Sequence, residues 1–255
     1  MNLINLVKRI LNINKEIDTK TLPSQGLFYN DDFKIYIKKA DIGDIIEYEF
    51  NYVKSDIGVV IEKLKKVVDK NTTFSNGYKF NDIKSIDVIF LFFEIVNFTK
   101  NKSVSLSYLD DNGNEEVIEF NSKHFNYFII NDDLMNSYNK KDKEFDIDGY
   151  KYTLPSIGVE NSLTNYLISK SNKKGAIKYN SYNYSFTYFL GKKNVVSFPE
   201  IDNLIQIFNF DMDDSEIKKV NSIVNTFLPI QKYSLKKGND IIDINSKINL
   251  EKIWK

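Results

Sequence analysis

The residue types best suited to catalysis are scarce in this chain. It contains no cysteine and a single histidine, His124. Catalytic thiols, disulfides and thiolate zinc sites are thereby excluded, and a catalytic imidazole would need a positioned partner. His124 stands beside Phe125 and follows a predicted strand, a setting more typical of a structural histidine. We therefore predict no catalytic residue, no metal ligand and no cofactor.

Two groups of carboxylates are the remaining candidates for a cation site. The first lacks the calcium-loop spacing with its final bidentate glutamate, and its flanks are predicted strands. The second falls at a predicted helix start, where carboxylates interact favourably with the helix dipole. Both are interpreted as structural, and no phosphate-binding glycine loop or nucleophile elbow is present. The groups are Asp110, Asp111 and Glu115, and Asp211, Asp213, Asp214 and Glu216.

A tyrosine-rich stretch could present aromatic rings to a sugar or a base. In a helix these rings would point to several sides, which suits burial between protein elements. Tyrosine is also enriched in protein interfaces, because its ring buries area while its hydroxyl finds a partner. The stretch therefore favours a core and interface role over ligand stacking. It comprises Tyr179, Tyr182, Tyr184, Phe186, Tyr188 and Phe189.

Charge and hydropathy narrow the classes of partner. The 35 basic residues balance 35 acidic ones, and Arg9 is the only arginine. Nucleic-acid binders usually carry a basic excess and favour arginine for bidentate contacts, so no nucleic-acid partner is expected. The longest apolar run, residues 88–93, is far shorter than the roughly 18 residues that span a bilayer. We predict no membrane span and no signal peptide.

Hydrophobic periodicity predicts an α+β fold. Small β-hairpins and strands should surround a central buried helix in the N-terminal half, and the C-terminal half should be mostly helical. A strand is predicted at 33–38, and two hairpins turn at Asn112-Gly113 and Asp148-Gly149. The segment 82–98 is apolar nearly all round and should be the core helix. The other predicted helices cover 41–53, 55–68, 159–169, 176–188, 199–210 and 213–227.

The first residues form an amphipathic pattern. Leu3, Leu6, Val7 and Ile10 recur at helical spacing. This predicts a helix that either packs on its own domain or docks on a partner protein. We divide the chain into this N-terminal helix (1–20), an α+β domain (21–155) and a mainly helical region (156–255).

A turn containing Pro23 and Gly26 follows. Pro23 fixes its own φ and extends the residue before it, and Gly26 should adopt a conformation unfavourable for other residues. Phe28 or Tyr29 should be well buried. We predict a structural or contact turn made of Leu22, Pro23, Ser24, Gly26, Phe28 and Tyr29.

The sequence of this turn has an internal echo. Residues 21–26 (TLPSQG) and 153–158 (TLPSIG) share five of six residues. Either the echo is chance, since proline and glycine are common in turns, or the same turn is used twice to redirect the chain.

The turn also carries a family resemblance. The segment 22–29 (LPSQGLFY), the strand after it and the helix at Gly43-Asp44 resemble the opening of T-even-type contractile-tailed phage baseplate hub proteins. In that family an LPS-x-G-x-x-Y turn precedes a strand and a helical region, which residues 83–90 fit. Members often have proline after the tyrosine, where this chain has Asn30. The resemblance implies a role in virion assembly and no catalytic residues.

The leading hypothesis is a phage tail baseplate or baseplate-hub assembly protein that acts through protein–protein contacts, without catalysis. Its partners would be other tail and baseplate proteins. It would reside in the virion, at the tail baseplate, or in the host cytoplasm during assembly. One alternative is a transient tail-assembly chaperone absent from the mature virion. Another is a carboxylate-dependent hydrolase, for which the sequence offers carboxylates but no recognisable constellation.

Overall fold

The computed structural model has the α+β fold that the sequence predicts. Its described part contains five α-helices and ten β-strands, which form four small antiparallel sheets. The described residues are 14–50, 57–110, 112–119, 135–147, 150–171, 197–206, 213–215, 217–218, 234–237, 240–243 and 253–254.

The first sheet has the strand order β1–β2–β3. β1 (Asn14–Ile17) pairs with β2 (Ile35–Lys38), and β2 pairs with β3 (Thr72–Phe74). In β2 the side chains of Ile35 and Ile37 are fully buried, which confirms the predicted alternating strand.

The predicted N-terminal helix does not extend to residue 20. Residues 14–17 form β1, and Thr19–Thr21 form a 3-10 turn. Helix is wrong for this stretch because Ile17 is buried opposite Ile35 in the sheet, so tertiary pairing overrides local propensity. The apolar stripe of Leu3, Leu6, Val7 and Ile10 lies outside the described residues.

Two helices follow β2 at their predicted positions. α1 covers Ile42–Phe50 and α2 covers Ile57–Asn71. The helical spacing of Leu64, Val67 and Val68 predicts that they share one face of α2, and all three are buried.

The buried side of α1 differs from the prediction. Helical spacing predicts that Ile42, Ile45 and Ile46 face the core. Ile45 packs against it, whereas Ile42 and Ile46 are 75% and 56% exposed. The helix instead turns Asp44 and Tyr48 inward. Asp44 accepts a hydrogen bond from the Asn71 side chain at the end of α2, at 3.1 Å. This polar anchor, together with the burial of the large Tyr48 ring, sets the rotation of α1.

α3 (Asp87–Lys100) is the central helix of the core. All residues from Val88 to Val96 are buried, which confirms the predicted core helix. It begins at Asp87 and not at Asp82, because Ile83 is extended, Lys84 forms a β-bridge with Ser156, and Ser85 bonds to Pro155. Asn101, with φ of 53°, ends the helix in a left-handed conformation.

Two predicted hairpins are present. β4 (Ser105–Leu109) pairs with β5 (Glu115–Glu119) across a turn in which Gly113 has φ of 82°. β6 (Tyr138–Asn139), β7 (Glu144–Ile147) and β8 (Tyr150–Tyr152) form a three-stranded sheet. The predicted turn residues Asp148-Gly149 lie outside the described residues.

The described second half contains two helices and a hairpin. α4 (Ile157–Ser171) and α5 (Phe198–Gln206) pack through Leu163, Tyr166 and Ile201, at or near the predicted positions. β9 (Ser234–Lys237) and β10 (Asp240–Asp243) form a hairpin in the charged tail, which the sequence analysis missed. The predicted helix 176–188 lies outside the described residues, as does most of 213–227.

The main core draws on both halves of the chain. Ile157 and the C-terminal Ile253 and Trp254 belong to the same buried cluster as α3. The Trp254 ring meets the Phe92 ring edge-on, with centroids 6.0 Å apart. In the described ranges, none of the helices combines the length and apolar character needed to cross a bilayer.

Candidate functional site

Two distant turns meet on the short segment 83–87 that leads into α3. The first is the predicted contact turn, residues 22–29, and the second is its echo around Pro155. The segment contributes Lys84, Ser85 and Asp87, all of which are buried. Buried polar groups must be hydrogen-bonded to be tolerated, and the two turns supply partners for them.

Asp87 anchors the first turn. Its carboxylate is fully buried at the first residue of α3, where negative charge interacts favourably with the helix dipole. One oxygen, Oδ1, accepts a hydrogen bond from the backbone N–H of Ser24 at 2.9 Å. The other, Oδ2, accepts from the Tyr29 hydroxyl at 2.7 Å. The turn is therefore held at both its start and its end by one carboxylate.

The Tyr29 hydroxyl continues the network to the backbone. It accepts a hydrogen bond from the N–H of Lys84 at 2.9 Å while donating to Asp87. Burial raises the pKa of Tyr29 well above its usual value, and the Asp87 charge adds to this. Burial also raises the pKa of Asp87 to about 6, opposed by the hydrogen bonds from Tyr29 and Ser24 and by the charge of Lys84. Asp87 is thus a buried group that titrates near neutral pH.

The second turn binds the neighbouring residues. Both the N–H and the hydroxyl of Ser85 donate to the carbonyl of Pro155, each at 3.1 Å. The N–H of Ile157 donates to the carbonyl of Ile83 at 2.9 Å. The Lys84 ammonium donates to the carbonyl of Leu154 at 2.8 Å. Residues 83–85 therefore pair with the second turn like a short strand, which is why α3 starts late.

The two echoed sequences do not form the same turn. In the first, Gly26 has φ of 73° within a series of tight turns, the conformation expected of it. In the second, Ser156 is extended and its hydroxyl accepts from the N–H of Val159, so it caps α4. The hypothesis of one turn used twice is wrong for the backbone. What the two sequences share is their docking site on residues 83–87.

A polar cleft opens beside this junction. Its volume is about 510 Å³. Phe28 of the first turn, Thr153 of the second and Lys84 between them line its buried side, and residues 76–78 and 141–143 line its walls. The Lys84 ammonium lies 5.7 Å from the centroid of the Phe28 ring and 3.3 Å from the Thr153 hydroxyl. The cleft therefore contains a positioned, largely buried cation.

The loop between β6 and β7 carries two further lysines to the cleft. The side-chain oxygen of Asn139 accepts from the N–H groups of Lys141 and Asp142, at 3.0 and 3.1 Å. Lys143, with φ of 55°, closes the loop by donating its N–H to the Asn139 carbonyl at 2.8 Å. Lys143 also forms an ion pair with Asp31. These bonds hold the loop in a fixed conformation.

The predicted contact turn lies mainly inside the protein. Leu22, Pro23, Ser24, Phe28 and Tyr29 are all buried. Burial was expected for Phe28 or Tyr29, and the structure buries both. Its members bond to the protein's own core, so the structural half of the prediction accounts for their contacts. Contact with a partner stays a prediction for this turn.

The carboxylate groups are described only in part. Asp110 accepts from the N–H groups of Asn112 and Asn114, both at 2.8 Å, so it orders its own hairpin turn. Asp213 accepts from the N–H of Ser215 at 2.8 Å, as a helix cap does. Within the described residues, no group of three or more histidine, aspartate or glutamate side chains is placed to bind a metal.

The remaining candidates fall outside the described residues. These are His124, Asp111, Asp211, Glu216 and the tyrosine-rich stretch 179–189.

Sequence reasoning missed the polar junction at residues 83–87. It assigned these residues to the core helix, because Ile83 and Ile86 continue the apolar pattern of α3. A signal was available, since Lys84, Ser85 and Asp87 are three polar residues at the start of an otherwise apolar segment. A buried helix tolerates such residues only where other parts of the chain satisfy them.

Comparison with known proteins gives no relative from which a function could be transferred: no protein-family model, curated protein or solved structure matches the chain.

Proposed function

We propose that this chain is a tail baseplate or baseplate-hub assembly protein of a contractile-tailed phage, and that it works through protein–protein contacts without catalysis. The observation that carries the proposal is the role of the LPSQGLFY turn. Its Ser24 N–H and Tyr29 hydroxyl both bind Asp87, and it leads through β2 into α1. The order of turn, strand and helix is the one that the resemblance to baseplate hub proteins implies.

The chemistry of the turn supports a scaffold role. The Tyr29 hydroxyl donates to Asp87 and accepts from Lys84, so both of its hydrogen-bonding functions serve the fold. Asp87 is fully buried, so a substrate could not reach it without opening the core. These hydrogen bonds hold the turn and the start of α3 in fixed relative positions, and surfaces that are ordered in advance move little on binding.

The outer face of α1 is suited to protein contact. Ile42 and Ile46 lie one helical turn apart and are mostly exposed. Paired apolar residues at this spacing are the usual anchors by which a helix enters a groove on another protein. The opposite side of α1 is fixed by Asp44 and Tyr48 in the core, so the exposed side is presented without freedom to rotate.

The proposal is tested by affinity purification of the tagged chain from phage-infected cells. Tail or baseplate proteins of the same phage should co-purify, equally well with EDTA present and with His124→Ala. Loss of these partners on chelation would contradict a metal-independent contact role. Substrate turnover abolished by His124→Ala would favour an enzyme. Mass spectrometry of purified virions then separates a baseplate component, which is present in them, from a transient chaperone, which is absent.

A further inference from the structure

We propose that residues 3–10 of this chain pack as a helix on the outer face of α1, antiparallel to it, and cover Ile42 and Ile46 until a partner displaces them. The contact itself is independent of the proposed function. Its regulatory meaning rests on that function, which assigns the same face of α1 to a partner protein. A face covered in this way is protected from unspecific association, the usual hazard of exposed apolar patches.

The outer face of α1 has the features of a helix-packing surface. Ile42 and Ile46 are 75% and 56% exposed, and their spacing of four residues places them next to each other as one ridge of the helix. Gly43 is exposed beside them, where the missing side chain lets another backbone approach closely. Covering these side chains removes apolar surface from water, which is the main driving force for packing.

The first sheet brings the preceding part of the chain to this face. Asn14, the first residue of β1, pairs with Lys38, the last residue of β2. Because the two strands are antiparallel, the chain before Asn14 and the chain after Lys38 lie at the same end of the sheet. Residues 1–13 therefore lead into the sheet at the end from which the chain continues into α1.

The chain lengths on the two sides match. Ile10 lies four positions before the paired end of β1, and Ile42 lies four positions after the paired end of β2. Each connection can extend up to about 14 Å. Leu6 and Ile46 lie four positions further along their segments, which is about 6 Å in a helix. An antiparallel helix pair therefore sets Ile10 against Ile42 and Leu6 against Ile46 without stretching either connection.

The sequence of residues 3–10 supplies the complementary surface. Leu3, Leu6, Val7 and Ile10 share one side of the predicted helix. A helix this short is not stable alone in water and needs a surface to pack on. The short connection to β1 favours α1 of the same chain over a second copy, because a tethered segment has an effective concentration of about millimolar or more.

Disulfide trapping tests the contact, since the chain contains no cysteine. The test variant is Leu6→Cys/Ile46→Cys. Its matched control is Lys8→Cys/Ile46→Cys, in which residue 8 projects from the opposite side of the predicted helix. With oxidised glutathione as the oxidant, the test variant should form at least about threefold more intrachain disulfide than the control. Equal yields would overturn the proposal.

Two other occupancies have their own readouts in this assay. Leu6→Cys/Val117→Cys pairs the segment with a different exposed apolar residue, on β5. An intrachain yield as high as that of the test variant would show that the segment has no preference for α1. A disulfide that forms between chains and decreases on dilution would identify a second copy as the occupant. Either result would overturn the proposal.

An NMR measurement tests the same contact without cysteines. In the full-length, 15N-labelled chain, Leu6→Gln should shift the backbone amide signal of Gly43, whereas Lys8→Gln should leave it in place. The signal of Gly113, on the β4–β5 turn, should not move in either variant. A Gly43 signal that is unchanged by Leu6→Gln, or that moves equally in both variants, would contradict packing of residues 3–10 on α1.

These results are separable from the test of the proposed function. Absence of the test disulfide would remove the cover on α1 and leave the co-purification experiment unaffected. Formation of the disulfide without any co-purifying tail protein would establish the contact within the chain and remove its regulatory meaning.

Discussion

Asp87→Asn should abolish an unusual dependence of stability on pH. The native pKa of Asp87 is raised to about 6 by burial, whereas an unfolded aspartate titrates near 3.9. The native state therefore binds this proton more tightly than the unfolded chain does. The resulting stabilisation is present at low pH and is lost as pH rises through the native pKa. The contribution of Asp87 to the free energy of unfolding should therefore fall by about 2 kcal/mol between about pH 4.5 and 7.5.

The assay is urea unfolding followed by fluorescence of Trp254, the only tryptophan, which is buried in the main core. Other carboxylates also titrate in this range, so the measured quantity is the difference in unfolding free energy between the wild type and Asp87→Asn. Relative to the variant, the unfolding free energy of the wild type should fall by about 2 kcal/mol between about pH 4.5 and 7.5. Asp110→Asn is the control, because hydrogen bonds from Asn114 lower the pKa of Asp110. The stabilisation by Asp110 is complete above the unfolded pKa, so the wild-type minus Asp110→Asn difference should stay flat between about pH 4.5 and 7.5. A wild-type minus Asp87→Asn difference that is flat, or that grows with pH, would refute the buried, shifted carboxylate.

Three further substitutions probe the same framework. Tyr29→Phe should destabilise the protein by about 1–3 kcal/mol, because it leaves the buried N–H of Lys84 without its acceptor; an unchanged unfolding midpoint would contradict this. Gly26→Ala should lower the melting temperature more than Gly113→Ala does. Both glycines have positive φ, but only at Gly26 would the new methyl group meet Thr19, at 3.2 Å. Equal decreases in melting temperature would show that this contact relaxes freely. Phe90→Ala should cost about 3–5 kcal/mol, as expected for a fully buried ring, and unchanged urea unfolding would place the core elsewhere.

Much of the fold follows from local patterns in the sequence. The alternation of Ile35 and Ile37 identifies a strand, and the continuous apolar run from Val88 identifies the core helix. Asn112-Gly113 identifies a hairpin because glycine adopts positive φ readily. Each of these signals is carried by neighbouring residues, so no knowledge of tertiary contacts is needed.

Features set by distant contacts could not be predicted in the same way. The rotation of α1 depends on Asn71 binding Asp44, residues 27 positions apart. Periodicity alone also places Ile42 and Ile46 toward the core, where the structure exposes them. β1 forms because Ile17 pairs with Ile35, although its own four residues carry no strong strand pattern.

The candidate site was predicted only in its first part. The turn 22–29 was identified from Pro23 and Gly26, but its partner Asp87 lies 63 positions from Ser24. The convergence of the echoed turns could not be derived either, since identical residues adopt different backbones in the two places. In the sequence, Lys84 resembles an ordinary helix-surface lysine, because the carbonyl that it binds, that of Leu154, lies 70 positions away.

The most direct test of the proposed phage role is disruption of this gene in its source genome, with electron microscopy of the particles that are released. The proposed function predicts that heads form normally while tails fail to assemble or lack baseplates, and that supplying the intact gene in trans restores complete particles. Normal contractile tails in the disrupted phage, or a source genome that encodes no tail, would contradict it.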